Sequence, residues 1–157
     1  MKKFFALVAL VCTVMISSTA MAAANWVWIY SDKDYTIYVD NNSIRRDYNY
    51  SDYVFRAFVK WIYSDTGRNK TIERWRSNDK PLPRGIYNLS HDIRLEYFKA
   101  SGGIKYHTIV NCVYYNHDGN KIHDMSFSYS TLPQWFVITP ESIGEAIFDA
   151  VYARVPN

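Results

Sequence analysis

The clearest pattern in the chain is a two-residue repeat over residues 53–63. The odd-numbered positions are Tyr53, Phe55, Ala57, Val59, Trp61 and Tyr63, and the positions between them include Arg56 and Lys60. Successive side chains of a β-strand point to opposite faces of its sheet. The pattern therefore predicts a strand whose odd-numbered residues face a core and whose two cations reach water.

Shorter stretches of the same kind predict further strands along most of the chain. They cover residues 25–30, 35–40, 70–76, 91–98, 104–115 and 121–130. Residues 70–76 follow a polar loop and are expected to return alongside residues 53–63 as a hairpin. Asp118-Gly119 is a strong turn signal and is expected to join the last two strands.

The apolar positions within these stretches predict which face of each strand meets the core. One inward set is Tyr35, Ile37 and Val39, and a second is Ile93, Leu95 and Tyr97. A third set consists of Ile104, Tyr106, Thr108, Val110, Cys112 and Tyr114. Because Cys112 shares a face with apolar residues, the alternation predicts that its thiol is buried.

Residues 139–152 follow the period of an amphipathic α-helix instead. Thr139 is the candidate N-cap, Pro140 suits the first helical position, and Gly144 is expected to permit close approach to the sheet. The apolar side consists of Ile143, Ile147, Phe148, Ala150, Val151 and Tyr152, and the opposite, wet side consists of Glu141, Glu145 and Asp149. Together these elements predict an α+β fold: an antiparallel sheet of about six strands with one C-terminal α-helix packed on one face.

The N-terminal residues have the three parts of a secretory signal peptide. Lys2 and Lys3 form a basic region, residues 4–16 form a short apolar region, and residues 20–22 provide a cleavage site of small residues. We expect residues 1–22 to be a signal peptide and residues 23–157 to form a single exported domain. An uncleaved membrane anchor and a lipoprotein modified at Cys12 are the alternatives.

Export changes how the composition is interpreted. The chain has 18 basic and 15 acidic residues, and removal of Lys2 and Lys3 reduces the basic count to 16. A nearly neutral exported domain is a poor candidate for nucleic-acid binding. Removal of Cys12 leaves Cys112 as a single cysteine, which excludes an internal disulfide and leaves a disulfide-linked dimer as an alternative to burial.

The predicted elements do not bring candidate catalytic or metal-binding side chains together. His117 and His123 flank a predicted turn and are expected to be solvated, with His117 near Asn120 and His123 nearer Tyr114, so that the two rings do not meet. His107 has the opposite parity from Cys112 on its predicted strand, which argues against a Cys–His nucleophile pair. We therefore expect no enzyme activity, no metal site and no cofactor.

Cations and aromatic side chains are interleaved in two places, FRAFVKW and ERWRS. Arg, Trp and Tyr contribute most of the binding energy at many protein–protein interfaces. The candidate partner-binding residues are Arg56, Lys60, Arg74, Trp75 and Arg76. The partner that this composition favours is a protein.

Several short motifs follow a familiar order over nearly all of residues 23–157. They are Tyr38-Val39-Asp40 with Ser43-Ile44, Cys112 followed by Tyr115 and Asp118-Gly119, and Trp135, Ile138, Pro140 and Ser142 near the last helix. In this order they resemble the surface-adhesin protein E family of bacterial exported proteins. The resemblance implies an antiparallel sheet with a packed C-terminal helix, and adhesion to host extracellular-matrix or serum proteins such as vitronectin and laminin. A structural or assembly role in the cell envelope, with a bacterial partner, is the alternative.

One departure from that family concerns the last helix. Family members pair the central cysteine, matched by Cys112, with a cysteine near the helix end, where this chain has Val151-Tyr152. Such a disulfide would contribute about 3–4 kcal/mol to stability. Apolar packing is expected to replace it, through Ile143, Ile147, Phe148, Val151 and Tyr152.

Overall fold

A computed structural model describes residues 23–50, 53–78, 81–126 and 134–156 of the chain. The predicted signal peptide, residues 1–22, lies outside the described residues, as does the end of the strand predicted over residues 121–130. Within the described residues, no helix combines the length and the apolar character needed to cross a membrane.

In the described part of the chain, eight β-strands form one antiparallel sheet. They are β1 (Trp26–Ser31), β2 (Tyr35–Asp40), β3 (Arg45–Asp47), β4 (Val54–Tyr63), β5 (Leu89–Ser101), β6 (Ile104–Asn116), β7 (Lys121–Ser126) and β8 (Phe136–Val137). Six of them lie side by side in the order β1-β2-β4-β5-β6-β7, while β3 pairs with β4 and β8 pairs with β6. Strands that follow one another in the sequence are therefore mostly neighbours, as is usual for antiparallel sheets.

Two α-helices of the described chain pack on the same face of this sheet. They are α1 (Asp65–Ser77) and α2 (Ile143–Tyr152), and two short 3₁₀ turns cover Asn41–Ser43 and Ile86–Asn88. Ile72 of α1 packs in a cluster with Tyr63, and Ile147 of α2 packs in a second cluster with Phe55. The predicted α+β class with an antiparallel sheet is confirmed, but the sheet has more strands than expected and a second helix covers it.

The prediction of a strand over residues 70–76 is wrong, because these residues belong to α1. The N-cap of this helix is Ser64, whose hydroxyl accepts a hydrogen bond from the backbone N–H of Gly67. Asp65 in the first turn suits the positive end of the helix dipole. The side of α1 that packs on the sheet consists of Gly67, Thr71, Ile72 and Trp75. Lys70, Arg74 and Arg76 lie among or next to these residues, so the same stretch also fits the two-residue repeat of a strand.

Gly67 marks a close approach between α1 and the turn before β2. A Cβ atom added to Gly67 would lie 2.1 Å from the backbone oxygen of Asp34. Gly144 in α2, for which the sequence predicts such an approach, has ordinary space instead. Its added Cβ would lie 3.4 Å from Ser142 Oγ and 3.5 Å from Ile138 Cγ2. Close packing therefore requires glycine in α1, against the turn before β2, and not in α2.

Alanine substitutions at these two glycines are expected to change stability in opposite directions. Gly67→Ala forces the backbone near Asp34 to move and is expected to lower the free energy of unfolding by about 1–3 kcal/mol. Gly144→Ala removes a flexible residue from a helix without a clash and is expected to raise it by about 0.5–1 kcal/mol. Urea titration followed by circular dichroism measures both values. A similar loss in the two variants would contradict the difference in packing.

The sheet face covered by the helices, called the inner face, carries the core. From β4 it receives Phe55, Ala57, Val59, Trp61 and Tyr63, as the alternation predicts. Tyr53, the first residue of the predicted set, precedes the strand and is 40% exposed. For β5 the prediction is wrong: Asp92, Arg94, Glu96 and Phe98 lie on the inner face, and Ile93, Leu95 and Tyr97 lie on the outer face. Both alternate sets of β5 contain apolar residues. The inner set can be buried because Arg94 pairs with Asp92.

A β-bulge divides the inward set predicted on β6. The pairing of β5 with β6 shifts there by one residue, because Val110 has no partner. Cys112 and Tyr114 follow the bulge and are buried on the inner face, as predicted. Tyr106 and Thr108 precede it and lie on the outer face. The single inward set predicted for this strand is therefore wrong.

The apolar side of α2 holds this helix on the inner face. Ile147, Phe148 and Val151 are no more than 3% exposed, and the Phe148 ring lies 5.3 Å from the Phe55 ring. Tyr152 is 53% exposed, although its ring stacks 5.8 Å from that of Phe148. Packing of these side chains attaches the helix to the sheet while Cys112 remains a free thiol.

The helix α2 begins later than the sequence predicts. Its N-cap is Ser142, whose hydroxyl accepts a hydrogen bond from the Glu145 backbone N–H at 3.3 Å, whereas Thr139 and Pro140 precede the helix. Glu141 has a φ of 59°, in the left-handed region that is costly for a residue with a side chain. The Glu145 carboxylate accepts a hydrogen bond from the Glu141 backbone N–H at 2.8 Å and so stabilises this turn.

The acidic side of α2 also contacts the sheet, contrary to the expectation that it is fully solvated. Lys105 on β6 donates hydrogen bonds to Asp149 and Glu145, and both Nζ–O distances are 2.7 Å. These bonds raise the pKa of Lys105, and the bond from Lys105 lowers the pKa of Glu145. One cation therefore links two successive turns of α2 to β6.

Lys105→Gln is expected to lower the melting temperature only in a defined pH range. The depressed pKa of Glu145 contributes stability above its ordinary value of 4.5, and this is lost as the pH falls through the folded value. The raised pKa of Lys105 contributes stability below 10.5, and this is lost at higher pH. Calorimetric melts should therefore differ between wild type and variant from about pH 5 to pH 10 and converge as the pH falls through the folded pKa of Glu145. A difference that persists in acid would show that Lys105 acts through packing on Phe148 instead.

Candidate functional site

The inner face contains two adjoining cavities. The larger, of about 410 Å³, lies between α1 and the sheet and extends to Ile143 of α2. The smaller, of about 250 Å³, lies between the central strands and the segment that leads into α2. Trp61 and Arg94 line both cavities. These two side chains therefore occupy the centre of the covered face.

Arg94 belongs to a buried ion pair. The Asp92 side chain is fully buried, and Arg94 donates to its carboxylate from Nε at 3.0 Å and from Nη2 at 2.9 Å. Tyr63 donates its hydroxyl hydrogen to the same carboxylate. Although burial opposes its charge, the Asp92 carboxylate holds the pKa of Arg94 well above its usual range. The guanidinium also lies 4.1 Å from the Trp61 ring centroid, so contacts on two sides fix its position.

A second buried carboxylate lies two residues further along β5. Glu96 is 2% exposed, and its Oε2 lies 3.5 Å from Nδ1 of His107 on β6. Both side chains line the smaller cavity, together with Thr139 and Ser142. The Ser142 hydroxyl is held by the backbone of α2 as its N-cap. The arrangement places an imidazole, supported by a buried carboxylate, on the cavity wall.

Cys112 lies within the inner face and is 2% exposed, which confirms its predicted burial. Burial raises the pKa of this thiol to about 12, and the nearby Asp92 carboxylate acts in the same direction. The bulge at Val110 places His107 on the same face as Cys112, so their predicted opposite orientation is wrong. A thiol with such a pKa is nevertheless a poor nucleophile, because the thiolate is the reactive form.

Cys112 is expected to be inert towards thiol reagents in the folded protein. Ellman's reagent at about pH 8 should react with the thiol of the urea-unfolded chain and very little with that of the native chain, because the native thiol is buried and protonated. Non-reducing electrophoresis should show a monomer. Rapid reaction of the native protein, or a dimer band that disappears on reduction, would show that the thiol is accessible.

His123 packs against aromatic rings and is only partly solvated. It lies opposite Tyr114, as predicted, and its ring is 5.2 Å from that of Trp75 on α1. His117 lies at the hairpin turn and is exposed. Among the described residues, no three His, Cys, Asp or Glu side chains are grouped so that they could hold a metal ion.

The five predicted partner-binding residues do not form one surface. Arg56 and Lys60 lie on the outer face of β4, whereas Arg74, Trp75 and Arg76 belong to α1, which covers the inner face. Arg74 and Trp75 line the larger cavity. Because residues 70–76 form a helix and not a strand beside β4, the two groups lie on opposite sides of the sheet.

The outer face of the sheet exposes apolar side chains to water. We define the outer-face patch as Tyr38, Arg56, Phe58, Lys60, Ile62, Ile93 and Leu95, which share this face on β2, β4 and β5. Phe58 is 42% exposed and Ile62 is 38% exposed. Nζ of Lys60 lies 4.0 Å from the centroid of the Trp26 ring, and partial burial lowers the pKa of Lys60.

The buried charged residues of β5 are candidates that sequence reasoning missed. The signal was present, because Asp92, Arg94 and Glu96 occur at alternate positions and a strand places all three on one face. Ile93 and Leu95 form the competing set, and apolar sets usually mark the core. A row of opposite charges along one strand face was the signal that could have indicated the ion pair.

Comparisons with protein-family models, curated proteins and solved structures find no match to this chain. The likeness to the surface-adhesin protein E family therefore stays a prediction from short motifs. The two faces of the sheet are the features of the described residues that bear on function.

Proposed function

We propose that this chain is a non-enzymatic, exported protein-binding domain that contacts its partner through the outer-face patch. The observation that carries this proposal is the exposure of apolar side chains on the sheet face opposite the helices. Besides Phe58 and Ile62, the neighbouring Trp28 on β1 is 58% exposed. Exposed apolar groups that cluster on one surface are typical of protein interaction sites.

The charges of the patch indicate the chemistry of the partner. Arg56 and Lys60 lie on it, and Arg45 of β3 pairs with Arg56 at its edge. The outward-facing residues of β4 and β5 include no carboxylate, because Asp92 and Glu96 face inward. A partner surface with apolar side chains flanked by acidic residues would complement this arrangement.

Several side chains on this face are already held in place. Lys60 lies over the Trp26 ring, and His91 stacks on Tyr115 with ring centroids 5.0 Å apart. Burial, followed by the positive charge of Lys60, lowers the pKa of His91, so the neutral imidazole predominates at neutral pH. Side chains that are ordered before binding lose less entropy when a partner docks.

The partner we propose is a host extracellular-matrix or serum protein of the vitronectin or laminin type, following the resemblance to surface-adhesin protein E proteins. The proposal includes export to the bacterial periplasm or outer cell surface. The alternative is a structural or assembly role for this chain in the cell envelope, with a bacterial partner on the same patch. Protease treatment of intact cells separates the two, because an adhesin has to be cleavable from outside.

Biolayer interferometry with immobilised vitronectin and laminin tests the proposal. The wild-type protein is expected to bind one of them saturably at micromolar concentration or below. The double variant Phe58→Ser, Ile62→Ser removes the apolar centre of the patch and is expected to weaken binding about tenfold or more. Arg74→Gln on α1 is the matched control on the opposite face and should bind like wild type.

Each of the other outcomes has a separate meaning. Lack of saturable binding by the wild type would contradict the adhesin partner. Equal binding by the double variant and the wild type, with circular dichroism showing both folded, would contradict the outer-face assignment. Weakened binding by Arg74→Gln would place the contact on α1 instead.

A further inference from the structure

The larger inner-face cavity has the size and lining of a small-molecule site. Its volume of about 410 Å³ lies within the range usual for ligand pockets. Five of its lining side chains are aromatic: Tyr35, Trp61, Tyr63, Trp75 and Tyr114. The protein-binding function proposed above uses the opposite face of the sheet, so a ligand in this cavity would be a separate activity.

The aromatic rings around the cavity hold one another in position. Tyr35 meets Trp61 edge-on with ring centroids 5.3 Å apart, and it meets Tyr63 in the same way at 5.7 Å. Trp75 of α1 meets Tyr114 of β6 edge-on at 5.5 Å. Edge-to-face pairs of this kind are favourable in themselves. They give the cavity fixed apolar walls on both the sheet and the helix side, which suit a flat apolar group.

Arg94 presents unused hydrogen-bond donors at the cavity wall. A guanidinium has five N–H groups, and the contacts with Asp92 use its Nε and Nη2 atoms. Its remaining N–H groups have no acceptor among the described residues. The Arg94 side chain is 17% exposed and is fixed between Asp92 and the Trp61 ring. An acceptor that entered the cavity would therefore meet an oriented, charged donor.

The charge of the cavity lining favours an anion. Arg74 and Arg94 are its charged lining residues, and no carboxylate is among them. Asp92 lies beneath Arg94 and balances one of the two charges, which leaves the exposed Arg74 as the excess. Glu96 lines the smaller cavity and not this one. A carboxylate is planar and matches the planar fork of a guanidinium.

We propose that the larger cavity binds a small aromatic carboxylate. The carboxylate group contacts the free edge of Arg94, and Arg74 at the rim adds attraction. The aromatic body of the ligand packs between Trp61 on the sheet and Trp75 on α1. The chain would then combine a protein-binding outer face with a ligand site beneath its helices.

Isothermal titration calorimetry with 2-naphthoate tests this proposal, and 2-naphthamide is a control ligand of similar shape without the charge. Naphthoate is expected to bind about tenfold more tightly than the amide. Arg94→Lys keeps the charge but loses the planar fork, and it is expected to weaken naphthoate binding about tenfold without changing amide binding. Arg74→Gln, at an exposed position, is expected to weaken naphthoate binding a few-fold and to reduce its salt dependence.

NMR signals of the tryptophan side chains show where the probe binds. The indole N–H signals of Trp61 and Trp75 are expected to shift on addition of naphthoate, while those of Trp26 and Trp28 stay in place. Shifts confined to Trp26 and Trp28 would overturn the proposal, because they would place the probe away from the cavity. Equal affinity for naphthoate and naphthamide, or unchanged naphthoate binding in both arginine variants, would also overturn it.

The double variant Phe58→Ser, Ile62→Ser separates this proposal from the protein-binding function. It changes only the outer-face patch and should keep the wild-type affinity for naphthoate. Loss of naphthoate binding in this variant, while circular dichroism shows it folded, would contradict a site beneath the helices. Failure of the vitronectin and laminin experiments leaves the naphthoate result unaffected, because the two tests use different faces.

Discussion

Ile147→Asp is expected to unfold most of the domain at room temperature. Ile147 is 2% exposed and packs in the core cluster that contains Phe55 and Val59. The substitution removes about 1.5–3 kcal/mol of apolar burial and places a carboxylate in an apolar cluster. The arginine on the same cavity, Arg94, is already paired with Asp92. Domains of this size are stable by only about 5–15 kcal/mol. A loss of about 5 kcal/mol or more is therefore enough to shift the population towards the unfolded chain.

The effect is expected to spread beyond α2, because this helix covers the sheet. A helix of ten residues is marginal in isolation and depends on its packed side. Once it is released, Phe55 and Phe98, which are no more than 1% exposed in the native protein, would face water. Thermal melts by circular dichroism and by tryptophan fluorescence should therefore show the same loss.

Ala153→Asp is the matched control for this prediction. It introduces the same carboxylate next to α2 at an exposed position. Its cost is expected to stay below about 1 kcal/mol, from unfavourable interaction with the helix dipole. A melting temperature of Ile147→Asp equal to that of the wild type would refute the role of packing in holding α2 without a disulfide.

Alternation predicts a strand face well where only one alternate set is suited to a core. On β4 the odd set contains Phe55, Val59 and Trp61, while the even set includes two cations, and the prediction is correct. On β5 the choice depends on partners distant in sequence. Asp92 is tolerated inside because Tyr63 and Arg94 contact it, and the sequence of β5 alone does not contain Tyr63.

The missed helix α1 has a similar physical cause. The repeat in residues 70–76 fits either a strand or a helix, and what selects the helix is the N-cap at Ser64 together with close contact between Gly67 and Asp34. This contact joins segments about thirty residues apart, so a local pattern does not reveal it. The difference bears on function, because the helix places Arg74 and Trp75 at a cavity and not in the sheet beside Arg56 and Lys60.

The error on β5 also bears on function. Ile93 and Leu95 look like core residues, yet they lie on the outer face beside Phe58. Ile93 and Leu95 are part of the outer-face patch to which we assign partner binding. Asp92 and Arg94 occupy the inner face in their place, and Arg94 lines the cavity to which we assign ligand binding. Both proposals therefore follow from the orientation of one strand, which is tested most directly at its ion pair.

Arg94→Met is expected to lower the free energy of unfolding by about 3–5 kcal/mol. The methionine fills much of the same volume, so the main cost comes from Asp92, which stays fully buried with only the hydroxyl of Tyr63 as a hydrogen-bond donor. Removal of one partner from a buried ion pair is more costly than removal of both. Urea titration followed by tryptophan fluorescence measures the loss.

The double variant Asp92→Asn, Arg94→Met isolates this electrostatic cause. The neutral amide still accepts the hydrogen bond from Tyr63 but carries no charge, so the double variant is expected to recover more than half of the stability lost by Arg94→Met. Arg74→Met removes an exposed arginine that lines the same cavity and is expected to change stability by less than about 0.5 kcal/mol. If Arg94→Met loses no more stability than Arg74→Met, then Arg94 is not buried against Asp92, and β5 does not present its charged residues to the inner face.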